Sequence, residues 1–270
     1  MNIAFWSNVN GRGATSGNML AIGTMASVMY SFRTLFLQYD CDSKPIEEIF
    51  EGKGRSNLIR DEVSYFKKEG IDELLNNAKL KELCEEEVYS QVKNVRNTSI
   101  YYLPSSKKIK YGIDDESIDY LSKKLPKVLE NISDINFIDN QNGKKVLSRK
   151  IMEESDVIVV NICQGMQHID SFLRTEFYRK KTVFLVGRYD RNSNEDIEMI
   201  CNKYHIPKEN IAVIPYNIHF HDAIAEGKVV DFISKSIYTK RNDVNFDFIN
   251  HLYLATNMIL EKAGVYEEKY

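Results

Sequence analysis

The apolar positions of this chain fall into short unbroken runs, separated by longer segments in which they recur every three or four residues. The first run is Ile3, Ala4, Phe5 and Trp6. Later ones lie at 35–39, 99–106, 135–138, 157–160, 182–186 and 211–214. Continuous Val/Ile/Leu/Phe runs of this length suit strands covered on both faces, since a strand with one wet face would alternate. Helical spacing is expected at 18–30, 46–50, 58–68, 71–78, 80–92, 115–130, 172–178, 197–204 and 246–263, with one further short helix just before Val157. In the 115–130 segment Ile118, Leu121, Leu125 and Leu129 share one face. Strand and helix alternate along the whole chain, which predicts an α/β fold: a mainly parallel twisted sheet with helices on both faces. Residues 1–270 read as a single domain, and the charged stretch at 41–97 as a helical excursion from the sheet.

The first strand leads through the polar, glycine-bearing turn SNVNGRGATS into a helix. Strand, glycine turn, helix is the shape of a phosphate-binding loop, in which backbone N–H groups and a helix N-terminus converge on an anion. Gly11, Gly13 and Thr15 fit that role, but Ala14 occupies the place where such loops usually carry lysine. An ordinary strand-to-helix turn is the alternative for the local motif. Asp40 and Asp42 follow the second strand and Asp139 ends the fourth. Turn chemistry explains any one of these acids. Three polar features at the carboxyl ends of predicted strands, where open α/β sheets bind ligands, point instead to a phosphate-bearing ligand with magnesium, taken by the hydroxyl of Thr15 with Asp40 and Asp139.

Charge narrows the field further. Lys+Arg number 36 and Asp+Glu 39, a net charge of −3, so no overall basic field indicates nucleic acid. The four cysteines, Cys41, Cys84, Cys163 and Cys201, form no CxxC pair. Isolated thiols, with no run approaching a spanning helix, place the chain in the cytoplasm without a membrane segment. His219 and His221, with Asp222, have no further ligand in the sequence to complete a metal site and read as surface or capping groups. The 246–263 helix carries Phe246, Ile249, Leu252, Tyr253, Ile259 and Ala263 on a broad apolar face. Its acidic end, Glu261, Glu267 and Glu268, suits packing on the domain or a dimer partner better than a membrane surface.

Together these motifs resemble the deviant Walker A P-loop ATPases of the ParA/MinD group, over most of the chain. SNVNGRGATS resembles that group's loop, with its signature lysine falling on Val9 and its loop lysine on Ala14. FLQYDCD is similar to the strand ending in D-x-D, INFIDNQNG to the Walker B strand with Gly143 as its switch glycine, FLVGRYDRN to the strand carrying an Asn-Arg pair (here Gly187 and Arg188), and IPYNIHFHD to the proline-containing strand end beside the purine.

The resemblance implies ATP or ADP with magnesium as cofactors. The loop residues Asn10, Gly11, Arg12, Gly13, Ala14, Thr15 and Ser16 would surround the phosphates, and Arg188, Pro215 and Tyr216 would lie near the base. Thr15, Asp40 and Asp139 would serve the metal, and Asp42 would be the catalytic residue that orients water. Both lysines are absent, which is the pattern of the TadZ/CpaE-like branch. The expectation is therefore a pseudo-ATPase acting as a homodimeric localisation or scaffolding factor for protein partners in a larger assembly, such as pilus or secretion machinery. The enzymatic alternative is a slow magnesium-dependent ATPase in which Arg12 supplies the missing charge. A third, a small-molecule ligase resembling dethiobiotin or cobyrinate synthetases, would need a substrate pocket lined by 41–97.

Overall fold

The structure, a computed structural model, describes residues 1–8, 14–39, 45–51, 69–78, 83–106, 115–140, 145–165, 169–175 and 182–265. The strands are β1 (Asn2–Trp6), β2 (Thr34–Gln38), β3 (Lys93–Asn94), β4 (Ile100–Leu103), β5 (Ile135–Asn140), β6 (Val157–Ile162), β7 (Thr182–Tyr189) and β8 (Ile211–Pro215). They form one eight-stranded sheet in the order β3-β4-β2-β5-β1-β6-β7-β8. Every pairing is parallel except the short β3 against β4.

The helices are α1 (Thr15–Tyr30), α2 (Ile46–Glu51), α3 (Ile71–Ala78), α4 (Glu85–Gln91), α5 (Asp115–Leu129), α6 (Lys145–Glu154), α7 (Asp170–Leu173), α8 (Ile197–Tyr204), α9 (Ile218–Glu226), α10 (Val229–Ser236) and α11 (Phe246–Ala263).

Both faces of the sheet are covered, and successive strand residues alternate between them. Ile3, Phe5, Phe36, Phe137, Val157 and Val159 pack toward α1, α2, α9, α10 and α11. Ala4, Leu35, Leu37 and Ile138 pack toward α3 to α6, while Ile158, Val160, Phe184 and Val186 meet α7 and α8. This double burial is why the strands read as continuous apolar runs. Helix α1 lies against β1, β2 and β5 with residues 18–27 buried. Its close approach depends on Gly23, where an added Cβ would sit 2.5 Å from Phe36 Cζ and 3.0 Å from Phe137 Cδ2.

Helices α3, α8 and α11 cover the segments that periodicity assigns to them. The 115–130 segment ends one residue early, at Leu129. Strand β2 runs from Thr34 to Gln38, one residue upstream of the apolar run, and β5 continues two residues beyond Ile138. The 172–178 expectation becomes a single turn, Asp170–Leu173, with 176–178 outside the described residues. The 80–92 expectation shortens to Glu85–Gln91, with 80–82 outside the described residues, as is all of the 58–68 segment. Periodicity assigns no helix to 218–226 or to 229–236. Both are real helices, and α9 is capped by Asn217 Oδ1 accepting from Phe220 N at 2.8 Å.

Candidate functional site

In this sheet β5, β1 and β6 are neighbours, so everything that leaves their carboxyl ends meets at one edge. Helix α1 starts there. Its N-cap, Ala14, is held in the left-handed region at φ 50° and ψ 30°, and its carbonyl accepts the first helical hydrogen bond, from Asn18 N at 2.7 Å. Ala14 has no side chain that could cap this end. This end of the 16-residue helix carries its first-turn N–H groups and the positive end of the helix dipole. A buried amide pair fixes the helix start: Asn18 Nδ2 donates to Asn161 Oδ1 at 2.8 Å, and Asn161 Nδ2 to the Trp6 carbonyl at 3.3 Å. Neither asparagine stood out in the sequence, although a polar residue inside an apolar run was the available signal.

Asp139, 3% exposed near the end of β5, is the centre of the arrangement. Its Oδ2 accepts from Ser16 Oγ at 2.6 Å and from Gln38 Nε2 at 3.1 Å. The hydroxyl reaching the carboxylate is thus that of Ser16, one residue beyond Thr15, the residue that the loop pattern favours. The β2 residue in register with Asp139 is Gln38, two positions before Asp40. Sequence reading passed over Gln38 because acids draw attention and amides do not. Its signal was a polar residue closing the apolar run TLFLQ. Asn140, 1% exposed, donates to the Ser148 carbonyl at 3.0 Å and ties the end of β5 to α6. Tyr39, 2% exposed, has a phenol whose pKa is pushed well up by burial, so it is a neutral neighbour of the site.

Two strands further along the same edge lie the residues expected near a base. Arg188 is exposed, sits at φ 52°, and occupies a bulge where the β7–β8 register shifts between Gly187 and Tyr189. Bulges of this kind re-aim a side chain. Its loop is anchored by Gln164, which donates to the carbonyls of Asp190 (3.1 Å) and Glu195 (2.7 Å) and accepts from Asp190 N (2.8 Å). Pro215 ends β8, half-buried, and Tyr216 is 54% exposed with its ring centroid 6.5 Å from that of His221. His219 and His221 lie exposed in the first turn of α9, and Asp222 follows the cap rather than forming it.

Asn10, Gly11, Arg12 and Gly13, with Val9, lie outside the described residues, as do Asp40, Asp42 and Gly143. Of the expected site residues, the structure brings Ala14, Thr15, Ser16 and Asp139 to one point. Arg188, Pro215 and Tyr216 lie farther along the same edge.

A mostly parallel sheet covered on both sides, with α1 following β1 beside a buried aspartate, is the fold of the ParA/MinD group of P-loop ATPases. The chain is similar to a plasmid partition protein of Borrelia burgdorferi bound to AMPPNP, with 16% identity over 97% of this chain and 98% of that one and a TM-score of 0.63. It is similar also to the septum site-determining protein MinD of Pyrococcus horikoshii complexed with Mg-ADP, at 14% identity over 99% and 98% with a TM-score of 0.65. A third similar structure is the MinC:MinD cell division complex of Aquifex aeolicus, at 13% identity over 100% and 98% with a TM-score of 0.66. No protein-family model matches the chain, and no curated protein matches it in sequence. Among the described residues no helix is long and apolar enough to cross a membrane.

Proposed function

We propose that this chain is a ParA/MinD-like nucleotide-binding protein that holds ATP or ADP at the β1–α1 loop and turns it over little or not at all. In this reading it serves as a dimeric localisation or scaffolding partner of a larger assembly, of the TadZ/CpaE-like kind that supports pilus or secretion machinery. The observation that carries the reading is an α1 N-terminus whose N-cap is Ala14, a residue with neither a capping group nor a charge on its side chain. Backbone N–H groups and the helix dipole suffice to bind phosphate, whereas the Ala14 methyl offers no charge to a phosphoryl group in transfer. A positioned cation is worth roughly 10³ to 10⁵ in rate in such reactions, so its loss separates binding from turnover.

The donor set fits magnesium. Ser16 gives its proton to the buried Asp139 carboxylate and keeps its oxygen lone pairs for a cation, and hard oxygens of this kind are what magnesium prefers. Ser16 and Asp139, with Thr15 alongside, are the described residues that would hold it, and when bound it would neutralise phosphate charge. Arg188, Pro215 and Tyr216 would flank the base. The AMPPNP and Mg-ADP found in the two similar structures support this reading.

Calorimetry with ATP and ADP, with and without magnesium, tests the proposal, with light scattering following oligomeric state in the same samples. Micromolar, magnesium-dependent binding with no measurable phosphate release at high protein concentration is the expected result. Failure to bind at millimolar nucleotide overturns the nucleotide reading. Phosphate release that Asp42→Ala abolishes overturns the pseudo-ATPase reading in favour of slow hydrolysis.

A further inference from the structure

Gln38 is 2% exposed, and its two amide ends are in opposite situations. A carboxylate accepts and cannot donate, so the amide nitrogen must be the end that faces Asp139, and the 3.1 Å contact to Oδ2 fixes that orientation. The carbonyl end, Oε1, is then turned away from Asp139. It is fully buried, and among the described residues it has no hydrogen-bond partner. A buried amide oxygen without a donor is uncommon and calls for a water or an ion. It belongs to the same amide that donates to the Asp139 carboxylate, which also accepts from Ser16 Oγ at 2.6 Å.

We propose that Gln38 is a specificity-determining residue of this site, its Oε1 accepting a hydrogen bond from a water in the coordination shell of the divalent cation that Ser16 and Asp139 would hold. The inference rests on the nucleotide reading above and adds to it. A neutral amide in register with Asp139 adds an acceptor but no charge of its own at this point, so in this proposal the phosphates supply much of the hold on the cation. It enters and leaves with the nucleotide. A carboxylate at position 38 would instead face that of Asp139 at hydrogen-bond distance, and two such groups do not both ionise without a cation between them.

The test is a titration with Mn²⁺, an ion of similar oxygen preference, followed by electron paramagnetic resonance with and without ADP, on the wild-type chain and on Gln38→Met and Gln38→Glu. Thermal unfolding of each variant confirms folding. The wild type should bind Mn²⁺ only in the presence of ADP. Gln38→Met should weaken Mn²⁺ binding to the ADP complex about tenfold or more, because the methionine fills the space with neither the acceptor nor the donor of the amide. Gln38→Glu should bind Mn²⁺ without nucleotide and unfold at a higher temperature when it is present. Equal Mn²⁺ affinity in wild type and Gln38→Met, or a Gln38→Glu variant indifferent to Mn²⁺ without nucleotide, overturns the role of Gln38 while leaving the nucleotide reading intact. Absence of ADP binding to the wild type, with or without metal, overturns both.

Discussion

Strands β1 and β5 carry buried polar groups at both of their ends, and the two ends are finished differently. At the amino end, Asn136 Nδ2 donates to Asn2 Oδ1 at 2.9 Å, and Ser133 Oγ donates to Asn136 Oδ1 at 2.6 Å. Asn2 Nδ2 continues to Glu130 Oε1 at 3.3 Å, and Asn2 N to Asp156 Oδ2 at 2.8 Å. The side chains of Asn2, Ser133 and Asn136 have no buried polar atom left over. At the carboxyl end the same two strands meet a buried carboxylate, two neutral donors on one of its oxygens, the N-terminus of α1 and an oxygen of Gln38 that has no partner among the described residues. A closed network, in which every buried polar atom has a partner, is what a sheet needs to end inside a protein. A buried charge beside an open acceptor is stable only if something else completes it.

That contrast is broken most sharply at the closed end. Asn136→Ala removes the donor to Asn2 and the acceptor for Ser133 and leaves a cavity beneath them, which should cost roughly 2–3 kcal/mol of stability. Chemical denaturation reads the loss, and nucleotide affinity of the folded fraction should not move. At the open end the order inverts. Asp139→Asn keeps an oxygen where Ser16 and Gln38 donate and removes a desolvated charge, so stability should stay within about 1 kcal/mol of the wild type. The magnesium-dependent part of nucleotide binding should fall at least tenfold, read by calorimetry. If the two substitutions exchanged these effects, the closed end would be the ligand site.

What could be read beforehand follows the same division. The sheet was legible because strands buried on both faces leave continuous apolar runs, and α1 because its apolar residues lie on nearly every side. Asp139 was legible as an acid closing such a run. Gln38 was not, because register decides which β2 residue faces Asp139, and β2 stops at Gln38 with Tyr39 already beyond it. Ser16 and Thr15 are adjacent hydroxyls in the sequence, and only the turn taken at Ala14 determines which of them meets the carboxylate. The asparagine pair of 18 and 161 joins elements 143 positions apart, a separation that no local pattern encodes.

The smallest expected effect belongs to the amino edge and depends on pH. Asp134 precedes β5 and accepts from Arg33 Nη2 at 2.7 Å and from Arg33 N at 2.8 Å. These hydrogen bonds, chiefly the one from the guanidinium, hold the Asp134 carboxyl below its usual range. A carboxylate whose pKa is depressed by folding contributes stability that is present above its unfolded value, near 4, and lost as pH falls through the folded one. Both side chains are more than a third exposed, at 49% and 37%, so solvent and salt screen most of the interaction. Asp134→Asn should therefore leave the unfolding temperature almost unchanged at neutral pH and reduce its fall below about pH 4 by a degree or two at most. The difference should shrink further in high salt, as an exposed pair requires. A large drop in unfolding temperature at neutral pH would mean that the exposed rim, and not the buried asparagine network, closes that end of the sheet.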